Sequence, residues 1–403
     1  MNVLFLTYGK MTDVHEHSIY LDLIHEFIRR GNKIYSISPC YKHKCGCFET
    51  EANLTQVFVD INALRGESNL IKKGLSVVRT KNTFKNAVRK YYYSVKFDLV
   101  LYTTPPITLL SVVRYVKQRD HAAAYLLLKD IFPQNSVDLG IMKTQGIRGV
   151  LYRYFRKIEQ ELYRVSDFIG CMSDANCKYI IEHNNIIREK VEVCPNSIDV
   201  FDKSISEERR KEVREKYSLP LDKVIFVYGG NLGKPQDIPF IIKCLKKVRL
   251  NEQICILIVG SGSEYRLLND YYQSGEQRNF ILSASLPKED YDTLVAACDV
   301  GLIFLDHRFT IPNFPSRILG YMQAKLPVLA CTDQNSDIGK VVTDNGFGWW
   351  CESNSTEDFE KGIYEAISAD RNYMGRLGYE FLEEHYTSKD ACEVILQHFK
   401  GML

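Results

Sequence analysis

Short apolar runs alternate with amphipathic segments along almost the whole chain of 403 residues. Residues 3–7, 33–38 and 98–103 have the composition of buried strands. The segment 18–30 places apolar side chains at helical spacing and ends at Gly31. Further strands are predicted at 122–128, 168–172 and 191–194. Strands that alternate with helices in this way indicate an α/β fold with a doubly wound parallel sheet.

The same alternation restarts after a charged passage at 195–222. Predicted strands follow at 224–228, 254–259, 280–282, 300–304, 328–330 and 348–351. A chain of this length exceeds one ordinary core, so we predict two Rossmann-like domains, 1–199 and 200–370, that face each other across a cleft. In such sheets ligands bind beyond the carboxyl ends of the strands, which directs attention to the residues just after each strand.

The composition of the chain indicates its broad class and its cellular compartment. The chain is 45% hydrophobic and 25% charged, as in ordinary globular proteins. It has no run of about 18 apolar residues and begins with an apparent strand, so neither a membrane-spanning helix nor a signal peptide is predicted. Its 12 cysteines are scattered, which favours reduced thiols in a cytoplasmic protein. The spacing of Cys40, His43, Cys45 and Cys47 fits either a soft metal ion or a plain loop.

Charge is distributed unevenly between the two halves. Residues 1–199 hold 28 Lys and Arg against 20 Asp and Glu, whereas 200–403 hold 24 against 30. Basic residues are interleaved with apolar and aromatic ones in the stretch 65–96 and in a second patch at 148–164. This pattern favours an anionic membrane surface as partner over a solvated helix face, and over nucleic acid, which we do not expect to bind.

Two segments of the second half have the pattern of anion-binding turns. Pro315, Ser316 and Arg317 open a helix whose first N–H groups have no internal partner, and the arginine adds a fork that matches phosphate. Upstream, the segment 229–234 reads Gly-Gly-Asn-Leu-Gly-Lys directly after a strand. Two such turns suggest a ligand with a diphosphate. The complete fingerprints of dinucleotide-binding enzymes and of nucleotide triphosphatases are missing, which argues against both classes.

Four landmarks, in this order, resemble the retaining glycosyltransferases of family 4, which have the two-domain GT-B fold. They are the strand and helix start at 165–173, Pro-Asn-Ser-Ile-Asp at 195–199, Ile-Leu-Ile-Val-Gly-Ser-Gly at 256–262 and Leu-Val-Ala-Ala-Cys-Asp-Val at 294–300. Lys-Asp-Ile-Phe-Pro-Gln-Asn at 129–135 is similar to a subgroup that builds bacterial capsule and O-antigen polysaccharides. The resemblance also implies that the last helices, here 371–403, pack back on the N-terminal domain.

The resemblance implies transfer of a sugar from a nucleoside-diphosphate donor, with UDP the expected nucleotide. The acceptor would be a lipid-linked saccharide on a polyprenyl diphosphate, and the sugar an N-acetylated hexosamine or deoxyhexosamine. The anomeric configuration would be retained, and no metal or other cofactor would be needed. Such an enzyme would be cytoplasmic and peripheral, at the inner face of the cell membrane.

Three side chains are predicted to act in catalysis. Lys234 and Arg317 would supply positive charge at the departing diphosphate. Asp130 would orient or deprotonate the acceptor hydroxyl, unless it only caps a helix. The predicted donor-binding residues are Gly9, Gly230, Asn231, Gln236, Gly260, Gly262, Ser285, Leu286, Pro315, Ser316, Gly320 and Tyr321. The predicted acceptor-binding residues are His15, His17, Lys129 and Asn135.

Two departures from the family pattern leave other functions open. Asn231 and Gln236 stand where the family commonly has Arg and Lys. Pro312 and Gly320 stand where it has two glutamates, the second of which typically holds the ribose. A sugar-nucleotide epimerase or a phosphorylase on the same fold therefore remains an alternative. A catalytically silent scaffold homologue in a polysaccharide assembly complex is another.

Overall fold

A computed structural model describes residues 1–11, 13–40, 45–61, 82–146, 149–276 and 278–402. The chain divides into two compact units. Unit 1 comprises Met1–Asp199 and Thr387–Leu403, and unit 2 comprises Val200–Tyr386. The segment 371–403 is therefore divided: its first helix belongs to unit 2, and only the residues from Thr387 onward return to unit 1.

Unit 1 is built on an eight-stranded sheet of order β3-β4-β2-β1-β5-β6-β7-β8. The strands are β1 (Asn2–Leu6), β2 (Lys33–Pro39), β3 (Gly46–Glu51), β4 (Leu54–Val59), β5 (Leu99–Thr104), β6 (Ala123–Leu128), β7 (Phe168–Cys171) and β8 (Val191–Val193). All pairings are parallel except β3 with β4, an antiparallel pair that the sequence analysis did not predict. Every residue of β5 is buried, as expected of a continuous apolar run at the centre of a parallel sheet.

The helices of unit 1 are α1 (Leu21–Arg29), α2 (Leu110–Asp120), α3 (Gln134–Asp138), α4 (Gly149–Val165), α5 (Asp174–His183) and, after the return of the chain, α14 (Ser388–Leu396); residues 82–91 are also helical. As the sequence predicts, Ser173 caps α5 by accepting a hydrogen bond from the Asn176 N–H at 3.5 Å. The apolar face of α14 joins that of α1 in a core that also contains the apolar residues of β1.

Unit 2 is built on a six-stranded, fully parallel sheet of order β11-β10-β9-β12-β13-β14. Its strands are β9 (Val224–Asn231), β10 (Ile254–Ser261), β11 (Phe280–Ser283), β12 (Val300–Phe304), β13 (Val328–Thr332) and β14 (Gly348–Glu352). Its helices are α6 (Glu207–Lys216), α7 (Ile238–Val248), α8 (Tyr265–Gln273), α9 (Lys288–Ala296), α10 (Arg317–Gln323), α11 (Ile338–Asp344), α12 (Thr356–Ser368) and α13 (Arg371–His385). The predicted pair of doubly wound α/β sheets is confirmed.

One expectation about the cysteines is wrong. Cys40 and Cys45 form a disulfide, so the cysteines are not all reduced thiols. This pairing removes both sulfurs from the metal site considered above, and Cys47 remains a free, exposed thiol. His43 lies outside the described residues.

Candidate active site

The sheet of unit 2 changes direction between β9 and β12. From β9 the chain proceeds outward through β10 and β11, and from β12 it proceeds the other way through β13 and β14. At such a switch point the loops after the two central strands diverge and leave a crevice for a ligand. Here those loops are 232–237 after β9 and 305–316 after β12. They contain the predicted donor residues Gln236, Pro315 and Ser316, and Gly230 and Asn231 end the strand before the first of them.

Glycines allow the loops at this edge to approach one another closely. Gly230 has φ +128°, a backbone conformation that favours glycine. A side chain at Gly260 would collide with the carbonyl oxygen of Gly230, and one at Gly262 would collide with the backbone of Leu232. The Leu232 carbonyl accepts the Glu264 N–H at 2.9 Å. The predicted glycines therefore form one compact backbone turn, which we call the glycine turn (residues 229–236 with 260–262).

Arg317 stabilises the glycine turn from within. Its Nη1 donates to the carbonyl oxygen of Gly229 at 3.0 Å, and its guanidinium carbon lies 4.2 Å from the centre of the Tyr228 ring. Tyr228 in turn donates its hydroxyl to the carbonyl oxygen of Asn231 at 2.7 Å. Tyr321 is buried and donates to the Val227 carbonyl at 3.1 Å. Both Arg317 and Tyr321, predicted as ligand contacts, thus hold the backbone of the site.

The cationic positions of the family are occupied by a pair of neutral amides. The side chain of Asn231 donates to Gln236 Oε1 at 3.0 Å, and the same oxygen accepts the Gly233 N–H at 3.2 Å. Gln236 is buried, so this pair fixes the shape of the turn without adding charge. Lys234 lies on the same turn, is exposed, and makes no salt bridge with the residues that the structure describes. It is the cation of the turn that is available to a ligand.

The other predicted donor residues of unit 2 lie on two loops and in helix α10. Ser285, after β11, donates its hydroxyl to Ser261 at 2.9 Å, and Leu286 follows it, partly buried. Pro315 and Ser316 precede α10; Ser316 is exposed and makes no capping bond, and α10 is only seven residues long. At Gly320 a side chain would meet no heavy atom within 4 Å. The position that holds a glutamate in the family is therefore open space here.

Sequence reasoning missed two features of unit 2. Asp306 and Arg308 form an ion pair immediately after β12, at the switch point. An Asp-x-Asp triplet occurs at 290–292, a sequence that can hold a metal-bound diphosphate. Its carboxylates are already paired, Asp290 with Lys216 at 3.0 Å and Asp292 with Lys203 and Lys288, both at 2.8 Å. Asp306 and Arg308 closely follow a buried strand, and this position in the sequence would have identified them as candidate site residues.

In unit 1 the edge formed by the carboxyl ends of β1, β5 and β6 carries predicted catalytic and acceptor residues. Asp130 follows β6; one carboxylate oxygen accepts from the Asn135 amide at 2.7 Å, and the other is buried without a hydrogen-bond partner among the described residues. Burial raises the pKa of Asp130 to about 6, against the lowering effect of the Ile131 N–H and Asn135. On neighbouring β5, the Thr104 hydroxyl is also buried and has no partner in the described part of the chain.

Two further predicted residues, Lys129 and Gly9, lie at this edge. Burial lowers the pKa of Lys129 to about 8. Gly9 follows β1, donates its N–H to the Thr7 hydroxyl at 2.9 Å, and packs so closely on Tyr20 that a side chain there would collide with the ring. These residues belong to the same edge of the sheet as Asp130, because β1, β5 and β6 are neighbours in it.

The two predicted histidines are engaged in different ways. His17 Nδ1 lies 3.0 Å from the buried carboxylate of Asp22, which also accepts the Asp199 N–H at 3.0 Å. His15 is exposed, 3.8 Å from Glu51. In the described part of the chain, His17, Asp22 and Asp199 form one of two clusters whose geometry could hold a metal ion. The hydrogen bonds of Asp22 connect α1 to Asp199, and this connection explains why the three side chains lie together.

The basic segments are only partly described. Residues 65–81 of the stretch 65–96, and Arg148 of the patch 148–164, lie outside the described residues. In the second patch, Val150, Arg153, Tyr154 and Lys157 are all exposed on α4. Arg156, on the same helix, instead pairs with Glu159 at 2.5 Å. Among the helices that the structure describes, none combines the length and apolar character needed to cross a bilayer.

Comparison with known proteins agrees with this geometry. Residues 209–381 match the family model "Glycosyl transferases group 1". "Probable glycosyltransferase WbjE" of Pseudomonas aeruginosa is 23% identical over 332 residues, which cover 81% of this chain and 80% of that protein. The comparisons support a GT-B glycosyltransferase. The matched region contains the glycine turn and both loops of the switch point.

Solved structures show the same fold. HepE of Anabaena, in complex with UDP-glucose, has a TM-score of 0.67 at 15% identity and covers both chains completely. WaaG, a glycosyltransferase involved in lipopolysaccharide biosynthesis, has a TM-score of 0.64 at 13% identity, covering 98% of this chain and 99% of its own. Unit 1 and unit 2 therefore correspond to the two Rossmann-like domains of the GT-B fold.

Proposed function

We propose that the protein is a retaining, metal-independent glycosyltransferase of family 4 that acts in bacterial capsule or O-antigen synthesis. It would transfer an N-acetylated hexosamine or deoxyhexosamine from UDP to a saccharide on a polyprenyl diphosphate. The observation that carries the proposal is the glycine turn at the switch point of unit 2. The similarity to HepE, solved with UDP-glucose, and to WaaG supports the donor class and the pathway.

Transfer of the sugar from its donor requires stabilisation of the departing diphosphate. The bond between the anomeric carbon and the diphosphate oxygen breaks, and the acceptor oxygen bonds to the same face of the sugar. Lys234 and the N–H groups of the glycine turn would take up the developing negative charge, so neither a metal nor another cofactor is required. Arg317 would act as a positioning residue, because its guanidinium holds the Gly229 carbonyl.

The acceptor would bind at the carboxyl edge of the unit 1 sheet. A carboxylate with a pKa of about 6 is ionised at neutral pH yet still basic enough to accept a proton from a hydroxyl. The unpartnered oxygen of Asp130 is available for that hydrogen bond. Asn135 holds the other oxygen and fixes the orientation of the carboxylate. Lys129, His15 and His17 would also bind the acceptor, whereas Gly9 remains a predicted contact of the donor.

Helix α4 supports a peripheral position at the inner face of the cell membrane. Val150, Arg153, Tyr154 and Lys157 are spaced at i, i+3, i+4 and i+7, which places them on one exposed stripe. Basic and amphipathic side chains on one face suit an anionic lipid surface. Cosedimentation with vesicles containing phosphatidylglycerol should be lost in the double variant Arg153→Glu, Lys157→Glu and kept in Lys178→Glu, an exposed lysine of α5. Equal cosedimentation of all three proteins would contradict the membrane assignment.

The proposal is tested by binding and by transfer. Melting temperature should rise with one of UDP, GDP or CMP, because a ligand at 100 times its Kd stabilises the native state by about 2.7 kcal/mol. Lys234→Ala should reduce that rise, while Lys340→Ala, an exposed lysine of α11, should not. Mass spectrometry should then detect a glycosylated polyprenyl-diphosphate saccharide after incubation with the matching nucleotide sugar.

A catalytically silent scaffold is the second candidate. It is favoured by the neutral Asn231–Gln236 pair and by the open space at Gly320, where the family has charged side chains. Absence of both a thermal shift and a product, in a protein that still binds vesicles, would support the scaffold and contradict the transferase. Release of a free sugar phosphate or an isomerised nucleotide sugar would instead indicate a phosphorylase or an epimerase.

A further inference from the structure

The loop after β12 carries a cation for which no role has been assigned. Asp306 and Arg308 lie two residues apart at the start of this loop, where the sheet of unit 2 reverses direction. The Asp306 N–H donates to the carbonyl oxygen of Pro235 at 2.9 Å. Pro235 is part of the glycine turn, so a single hydrogen bond joins the two loops that flank the crevice.

Asp306 is completely buried and needs a partner. An ionised carboxylate without hydrogen bonds in a protein interior is strongly unfavourable. Arg308 provides the compensation: its Nε lies 2.9 and 3.1 Å from the two carboxylate oxygens, and its Nη2 lies 2.5 Å from one of them. The Arg308 N–H also donates to the same carboxylate at 3.0 Å. The guanidinium is therefore held in one orientation by a group that cannot move away into solvent.

This pairing leaves the other edge of the guanidinium unused. Arginine has five N–H donors, of which Nε and one hydrogen of Nη2 point at Asp306. Nη1 and the second hydrogen of Nη2 have no acceptor among the residues that the structure describes, and half of the side chain is exposed. Two parallel N–H groups at this edge match two oxygens of a phosphate.

The carboxylates around Arg308 favour its charged form. Asp237 and Glu264 lie close enough to raise the pKa of Arg308 further, after the dominant effect of the bond to Asp306. His307 lies 3.9 Å from Asp237 and 3.8 Å from Asp306. The surroundings are thus not a broad positive patch, and binding here would depend on the geometry of the fork.

In the glycine turn, Lys234 is the cation available to a ligand, because the family positions for Arg and Lys hold an amide pair and Arg317 already donates to the Gly229 carbonyl. A diphosphate carries more negative charge than one lysine neutralises. We propose that Arg308, oriented by Asp306, is a second cation of this site and that its free guanidinium edge binds the diphosphate of the donor. This inference rests on the proposed function in that a nucleoside diphosphate is taken as the ligand of unit 2.

The test is calorimetric titration of the full chain with UDP, GDP and UMP. Arg308→Ala should weaken binding of the nucleoside diphosphate roughly 10- to 100-fold, as expected for the loss of a charge-assisted, two-point contact. Arg308→Lys should recover only part of this loss, because an ammonium lacks the fork. Binding of UMP should change less than binding of UDP, which a purely structural role of Arg308 would not produce. Arg209→Ala, an exposed arginine of α6, is the matched control.

The possible results separate the two proposals. Nucleoside diphosphate binding that is unchanged in both Arg308 variants overturns the role of Arg308 and leaves the donor site of the proposed function intact. Equal weakening of UMP and UDP binding in Arg308→Ala would indicate a structural role of Arg308 and overturn the diphosphate assignment as well. No binding of any nucleotide by the unmodified protein overturns the proposed function itself. Melting temperatures of the variants identify any that are unfolded, and Arg308→Lys then decides the question.

Discussion

The candidate donor edge of unit 2 and the candidate acceptor edge of unit 1 are built on similar sheets but treat their polar groups in opposite ways. In unit 2 the glycine turn is internally satisfied: Arg317, Asn231 and Gln236 all make hydrogen bonds within the turn. In unit 1 one carboxylate oxygen of Asp130 and the hydroxyl of Thr104 are buried without a hydrogen-bond partner among the residues that the structure describes. Buried polar groups are rarely left so, and those that are unsatisfied require an explanation.

The difference suggests two ways of preparing a site. A turn whose shape is fixed before binding can present backbone N–H groups to a diphosphate with little reorganisation. A buried carboxylate oxygen without a hydrogen bond lowers the stability of the free protein. An acceptor hydroxyl that donates to this oxygen restores the lost stability.

The largest effect is expected from Gly262→Ala. The new methyl group would collide with the backbone of Leu232, which cannot rotate away as a side chain would. We expect a loss of about 1–3 kcal/mol in the free energy of unfolding, together with loss of nucleotide binding. Urea denaturation and calorimetric titration measure the two effects. Full nucleotide affinity in a variant of normal stability would show that the turn is not rigid.

Much of this organisation follows from the sequence, because it depends on local patterns. Short apolar runs predict the strands of both sheets except β3 and β4, and the glycines of the segment 229–234 predict a turn there. The roles of individual side chains were harder to predict. Whether Arg317 faces a ligand or the Gly229 carbonyl depends on the packing of Tyr228, which no local pattern encodes. Likewise, only the burial of Asp306 shows that Arg308 is held in one orientation, and the sequence does not encode that burial locally.

A second prediction concerns the pH dependence of stability that Asp130 contributes. Its pKa in the folded protein, about 6, lies above the ordinary value of 3.8. The protonated form is therefore the one favoured by folding, and the stability it contributes is present below pH 3.8 and is lost as pH rises through 6. Asp130→Asn, which stays neutral, should be more stable than the unmodified protein at pH 8, by about 1–3 kcal/mol.

The measurement is the difference in melting temperature between Asp130→Asn and the unmodified protein at pH 5 and at pH 8. The difference should be larger at pH 8, because only there is the buried carboxylate ionised. Asp333, whose pKa burial also raises to about 6, contributes equally to both proteins and cancels in the comparison. In a transfer assay, kcat/KM of the unmodified protein should fall below pH 6 if Asp130 accepts the proton. A pH-independent difference in stability would mean that Asp130 is not desolvated in solution.

The smallest effect, and one of opposite sign, is expected from Gly320→Ala. This glycine lies within α10, its φ is not in the left-handed region, and a methyl group there would meet no atom within 4 Å. Alanine reduces the conformational freedom of the unfolded chain, so the free energy of unfolding should rise by about 0.5–1 kcal/mol. The same substitution is thus destabilising at Gly262, where backbone fills the space, and stabilising at Gly320, where nothing does. Urea denaturation of the two variants side by side measures both signs, and a loss of stability at Gly320 would show that the position beside Arg317 is filled rather than open.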